Sequence, residues 1–347
     1  MIRSYLILLT FSCASLAKAQ PSSILGADDL DYYLFQAFQA AGPNNRVRLN
    51  HIGVQVQQTD NGFLVTAAME DYPAHRAGIN RGDIIETAEG RPFHPVYSFN
   101  NAEDFNKGYS PVSNSYNLVV RRNQNRMNLT LRPVFENLYD SYRTATINSI
   151  QEFSAGNKVV GYVRFWALSR NSNDLVTYRN LIDELDHCDG LIIDLRNSYG
   201  FLDLQHLDKI FPSRDSYFDI SGFTDALSNL ANPSSAVDTK QYRKPIAVLI
   251  NSETRGGPEL FAYQLGKLGR SIILGDRSTG ELGTYLESAR DGTEILIYQP
   301  AESLLIDNNS IEGTGVETDR IVEYPFEQTS RGDPQYNAAM NALMGII

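Results

Sequence analysis

Hydroxyl groups crowd two turns in the second half of this chain. Asn251-Ser252-Glu253-Thr254-Arg255-Gly256-Gly257 lies between the apolar run 246–250 and a helical pattern that starts at Pro258. Ser278-Thr279-Gly280-Glu281-Leu282-Gly283 follows the next apolar run. A hydroxyl is a weak nucleophile until an adjacent base takes its proton. A helix N-terminus adds partial positive charge and free N–H groups for a developing oxyanion. Ser252 and Thr254 could attack a carbonyl on that ground, although turn or cap hydroxyls are the plainer reading, as for Ser278 and Thr279. Cys188 beside His187 offers a thiol–imidazole pair, against the plainer reading of a small half-buried filler at a turn. The other histidines, at 51, 75, 94 and 206, stand in no motif. No HExxH or CxxC spacing and no phosphate-binding glycine loop occurs, so neither a metal nor a cofactor is expected.

The elements that would position these groups alternate. Residues 159–165 read as a strand, and 173–185 as an amphipathic helix with Leu175, Tyr178, Leu181, Ile182 and Leu185 on one face. The runs 190–195 and 246–250 are continuously apolar, as in strands buried on both faces. A helix over 258–268 and a strand over 271–275 complete an α/β pattern. The polar stretch 213–241 reads as an insertion or loop.

The first half is patterned differently. Helical spacing over 28–41 ends at Gly42-Pro43. From 47 to 134 the pattern is of short strands, among them 52–56, 62–66, 116–121 and 126–131. Residues 136–157 are polar and somewhat helical and read as a connector. Residues 1–19 carry Arg3, a short apolar core and Ala17-Lys18-Ala19, the pattern of a signal peptide. An exported protein, periplasmic or secreted, is therefore expected. Cys13 lacks a good lipobox in Thr10-Phe11-Ser12. Lys and Arg total 30 and Asp and Glu 41, a net charge of −11. Removing Arg3 and Lys18 leaves 28 against 41, or −13. Such a balance opposes binding to nucleic acid or anionic lipid. Cys188 is the one cysteine left after cleavage, so no internal disulfide is expected.

The segment PAHRAGINRGDIIETAEGRPF (73–93) resembles a PDZ domain of the kind associated with bacterial proteases. Four further segments, in order, resemble the tail-specific, or C-terminal processing, serine peptidases: VGYVRFWALS, DGLIIDLRNSYGF, the stretch from Pro245 to Gly283, and DPQYNAAMNAL. The resemblance implies a peptidase domain with a mixed sheet flanked by helices, preceded by a mostly β PDZ-like domain. The expected division is signal peptide 1–19, N-terminal helix 20–45, PDZ-like domain 46–135, connector 136–157 and peptidase-like domain 158–347. It also implies a serine activated by a lysine, with the serine three residues before the glutamate of the helix. That glutamate is Glu259 here, so the nucleophile position is Gly256; the lysine position, 25 residues on, is Glu281. Gly200 and Gly257 match the positions whose N–H groups face the oxyanion. Phe201 stands where the family has a second glycine. Gly62, Phe63, Leu64 and Val65 match the loop and strand that accept a peptide by β-addition.

Three functions follow as expectations. The first is a catalytically impaired homologue that binds peptide or protein C-termini. The second is an active serine-type endopeptidase with its nucleophile shifted to Thr254 or Ser252. The third is a structural partner in a cell-envelope assembly. The partner expected is a polypeptide, with no nucleic acid and no integral membrane segment in the mature chain.

Overall fold

The computed structural model describes residues 24–222, 240–327 and 332–347. The expected signal peptide and most of the expected insertion at 213–241 lie outside these residues. The chain opens with helix α1 (Leu30–Gln39), capped by the Asp29 carboxylate, which accepts the Asp31 N–H at 2.9 Å. Its spacing buries Tyr33, Phe35 and Ala37 completely.

A first sheet follows in the order β1 (Val54–Thr59), β2 (Gly62–Ala68), β3 (Ile84–Ala88), β4 (Tyr116–Arg122), β5 (Asn125–Leu131), all neighbours antiparallel. Its inward residues, Val54, Val65, Ile85, Leu118 and Val120, share one core. The short helix Pro73–Arg76 ends at Gly78, whose φ of +80° supplies the left-handed turn.

Residues 136–157 are more than a connector. They form helix α2 (Leu138–Asn148), which buries Leu138, Tyr142 and Ala145, and strand β6 (Gln151–Ala155). β6 pairs antiparallel with β7 (Lys158–Arg164), so the second sheet begins seven residues before the expected boundary at 158. The polar composition hid this, because β6 is an edge strand.

Beyond β7 come β8 (Ala167–Leu168), helix α3 (Ser172–Glu184), β9 (Gly190–Asp194), β10 (Tyr199–Gly200), β11 (Ile246–Ile250), helix α4 (Gly257–Gly266), β12 (Ser271–Gly275), β13 (Thr284–Arg290), β14 (Thr293–Gln299), β15 (Arg320–Ile321) and helix α5 (Pro334–Met344). The second sheet runs β6-β7-β9-β11-β12-β15, antiparallel only at its β6 edge. Alternate residues face opposite sides. Leu191, Ile193, Ile246 and Val248 pack with Ile182, Leu260 and Phe261 of α3 and α4. Ile192, Ala247 and Leu249 pack with Ala339 and Leu343 of α5. Both faces are covered, which is why these strands read as unbroken apolar runs.

The two sheets are bolted together. Gln55 Nε2 donates to the Asn197 carbonyl at 3.0 Å. Trp166 Nε1 donates to Glu70. Arg81 stacks on Tyr324 and Phe326, 4.0 Å from each ring centre, and donates to the Tyr324 and Pro325 carbonyls.

Candidate active-site remnant

The carboxyl ends of β9, β11 and β12 open into one cleft, the usual ligand position of a parallel sheet. The cleft holds about 1350 Å³ and is walled by Gln57 and Arg81 from the first half and by Arg164, Asn197, Ser252 and Glu281 from the second. Glu281 lines the cleft, and Gly256 stands on the adjacent turn at the start of α4.

One buried carboxylate ties those turns together. Glu259, in the first turn of α4, accepts the Gly256 N–H at 3.0 Å and the Glu281 N–H at 2.9 Å. It also accepts the Gly280 N–H and the Ser278 hydroxyl, each at 2.6 Å. Burial pushes its pKa up to about 7, against the pull of those four donors. Sequence reading used Glu259 only to count back to Gly256; nothing in the sequence marks it as the hub.

Gly256 has a φ of +69° and ψ of −130°, a conformation that L side chains rarely adopt. A Cβ there would meet the Gly200 carbonyl oxygen at 2.9 Å and the Tyr199 ring at 3.7 Å. A side chain at 256 would therefore force the Gly200 carbonyl to shift. The expected oxyanion positions, Gly200 and Gly257, pack against each other at the start of α4. Gly200 brings its carbonyl oxygen, an acceptor, against Gly256. A Cβ on Gly257 would lie 2.3 Å from the Leu202 N and 2.8 Å from the Gly200 oxygen. Pairing of β10 with β8, where Phe201 N–H donates to the Leu168 carbonyl at 2.9 Å, holds the 200–202 backbone directly on the start of α4.

Glu281 is 4% exposed, and burial pushes its carboxyl up. Tyr285 donates to its Oε1. Its Oε2 has no hydrogen-bond donor and lies 3.9 Å from Arg255 Nε, which is itself without an acceptor. Arg255 Nη1 reaches Asp31 of α1 at 2.8 Å, and its guanidinium lies 5.0 Å from the Phe35 ring centre. Phe35 in turn stacks on Tyr285 at 4.1 Å and meets Tyr199 edge-on at 4.5 Å. The N-terminal helix is thus part of this site. No sequence signal links Asp31 to Arg255.

Thr254 is fully buried. Its hydroxyl donates to the Leu195 carbonyl at 2.8 Å and accepts the Asn251 N–H at 3.0 Å. It is a turn-forming hydroxyl with no base beside it. Ser252 is exposed on the cleft wall and contributes its backbone carbonyl to Thr279 Oγ1 at 2.5 Å; its own hydroxyl meets no base among the described residues. Cys188 lies outside the cleft, and burial pushes its thiol up. His51 is buried with Ser141 Oγ 3.1 Å from its Nε2. Its Nδ1 accepts the Gly53 N–H, so Nε2 carries the proton and cannot act as a base toward that hydroxyl.

The expected peptide edge also needs correction. Gly62–Val65 lies in β2, which is bonded to β1 on one side and to β3 on the other. Val65 N–H also donates to the Asp83 carbonyl at 2.7 Å. No free N–H row is left for an added strand. The outer strand of this sheet is β1, with Gln57 and Gln58 exposed.

With this geometry in hand, comparison with known proteins is decisive for the second half. Residues 159–322 match the model of peptidase family S41. This part of the chain belongs to that family. The chain is 24% identical over 295 residues to a carboxy-terminal-processing protease of Bartonella bacilliformis, covering 81% of this chain and 63% of that protein. It is 26% identical over 314 residues to a carboxyl-terminal-processing protease of Synechocystis, covering 86% and 69%. A crystal structure of a Bacteroides fragilis protein ascribed to S41 has the same fold, with a TM-score of 0.54, 15% identity, and 86% of this chain and 84% of that one covered. The S41 region is the mixed α/β sheet flanked by helices. Among the described residues no helix is long and apolar enough to cross a membrane.

Proposed function

We propose that this chain is an exported S41 homologue that holds polypeptide C-termini without hydrolysing them. The observation that carries this is Gly256 packed against the Gly200 carbonyl, with Glu281 facing Arg255 where the family's lysine belongs. Among the described residues, a peptide bond bound here meets no hydroxyl paired with a base and no amine base.

Binding is supported by what the cleft retains. Arg164 lines it, stacked on Trp166 at 3.8 Å, with its Nη1 3.6 Å from Glu70. A guanidinium held in place by stacking suits a carboxylate. The exposed edge of β1 runs along the same cleft through Gln57, where a PDZ-like module would receive an extended peptide by β-addition.

The test is fluorescence anisotropy with labelled unstructured peptides carrying a free or amidated C-terminus, alongside casein hydrolysis and fluorophosphonate labelling. We expect binding of the free-carboxylate form, at least fivefold weaker binding after amidation or in Arg164→Met, and no labelling. Hydrolysis that co-purifies with the protein, or a probe adduct on Ser252 or Thr254, would establish the shifted-nucleophile peptidase instead.

A further inference from the structure

A second cluster lies at the opposite end of the S41 sheet from the cleft. The cleft sits beyond the carboxyl ends of β9, β11 and β12. Cys188 and His187 precede the amino end of β9, and Glu152 is on the outer strand β6. The ligand atoms of these three residues all lie within 4.8 Å of one another. His187 Nε2 is 3.2 Å from Glu152 Oε2 and 3.8 Å from Cys188 Sγ.

Hydrogen bonding shows why this trio is unusual. His187 Nδ1 lies 2.9 Å from the Glu184 carbonyl, which accepts its proton. In the neutral ring that leaves Nε2 as a lone pair. Nε2 then faces a carboxylate oxygen and a sulfur, three donor atoms placed so that one proton or one metal cation can bridge them. A bond from Nδ1–H to a backbone carbonyl is also the usual support for an imidazole metal ligand. The floor of the cluster is shaped as well. Glu152 pairs in register with Gly161 of β7, and a Cβ on Gly161 would lie 3.2 Å from Cys188 Sγ. The missing side chain at 161 gives the sulfur its space beneath Glu152.

We propose that Glu152, His187 and Cys188 form a zinc site that fastens the edge strand β6 to the turn entering β9. A tetrahedral zinc ion with bonds of about 2.0 Å to nitrogen and oxygen and about 2.3 Å to sulfur separates its ligand atoms by roughly 3.3–3.6 Å. The observed 3.2 and 3.8 Å need shifts of only tenths of an ångström. The donor set mixes thiolate, imidazole and carboxylate, which suits zinc's borderline softness. His187 and Glu152 are exposed at 57% and 44%, so the ion enters from solvent and a water takes the fourth position. The thiol proton passes to solvent as sulfur binds. No motif announces the site, because its ligands are split between residue 152 and residues 187–188.

The experiment is titration of the purified, chelator-treated full chain with cobalt(II) as a spectroscopic stand-in for zinc, followed by displacement with zinc chloride. We expect one equivalent bound, with a thiolate-to-cobalt charge-transfer band that zinc abolishes. His187→Gln and Glu152→Gln should each weaken binding at least tenfold, and Cys188→Ser should remove the band. Because Cys188 is buried and its variant can misfold, the two exposed substitutions decide the matter. Absence of a thiolate band in the unmodified chain, or unchanged affinity in both exposed variants, would overturn the proposal.

Discussion

Asp31 and Arg255 are 224 residues apart in the chain and 2.8 Å apart in the fold. Their ion pair lays the N-terminal helix over the turn that enters α4. Arg255 is 8% exposed and Glu281 3% by side chain, so both charges sit away from bulk water and depend on each other and on Asp31. Asp31 itself is 35% exposed, and solvent screens much of its share.

That arrangement makes a lysine at position 281 unwelcome. Glu281→Lys would place a second cation beside Arg255 and should lower the unfolding free energy by on the order of 3 kcal/mol. Arg255→Ala should cost a comparable amount, because it strands the Glu281 carboxylate. The double variant should recover at least about 1 kcal/mol relative to the sum. Urea unfolding of the four proteins measures this; strict additivity would refute the coupling.

Restoring a hydroxyl should not restore chemistry. Gly256→Ser forces a side chain into a left-handed conformation and against the Gly200 oxygen. It should cost about 1–3 kcal/mol and yield no fluorophosphonate adduct, alone or with Glu281→Lys. An adduct at the new hydroxyl, read by mass spectrometry, would show that the seat can open.

The Glu259 carboxyl predicts a pH dependence. Its folded-state pKa lies near 7 against an ordinary 4.5, so the folded form binds the extra proton. The associated stabilisation is complete below about pH 4.5 and is lost as pH rises through 7, a swing on the order of 3 kcal/mol. Glu259→Gln lacks the titration. The difference in unfolding free energy, unmodified chain minus variant, should therefore fall across that window. A flat difference would mean that the four donors hold Glu259 ionised throughout.

Arg81 is the clasp between the first sheet and the segment around Tyr324. Arg81→Ala should remove two carbonyl hydrogen bonds and two cation–π contacts, about 1–2 kcal/mol together. Limited proteolysis should then cut residues 320–327 faster, while the S41 core resists as before. Unchanged cleavage would place the inter-sheet hold in Gln55 and Trp166 instead.

Much of this was legible in the sequence. The apolar residues of 190–195 and 246–250 marked the buried parallel strands, since a sheet covered on both faces hides consecutive side chains. The order of the peptidase-like segments, and the count from Glu259 to Gly256 and on to Glu281, pointed to two turns that the fold places side by side. These are local properties of spacing and residue type. What tertiary structure decided is which groups meet across the chain. The α1 carboxylate on Arg255, the Gly200 oxygen turned onto Gly256, and the pairing of β2 on both edges arise from packing between segments far apart in sequence. Composition could not reveal β6 inside a polar stretch, because an edge strand satisfies half its backbone with water and needs no apolar signature. Nor could it gather Glu152 beside His187 and Cys188, because register between strands, rather than spacing along one, brings those atoms within reach.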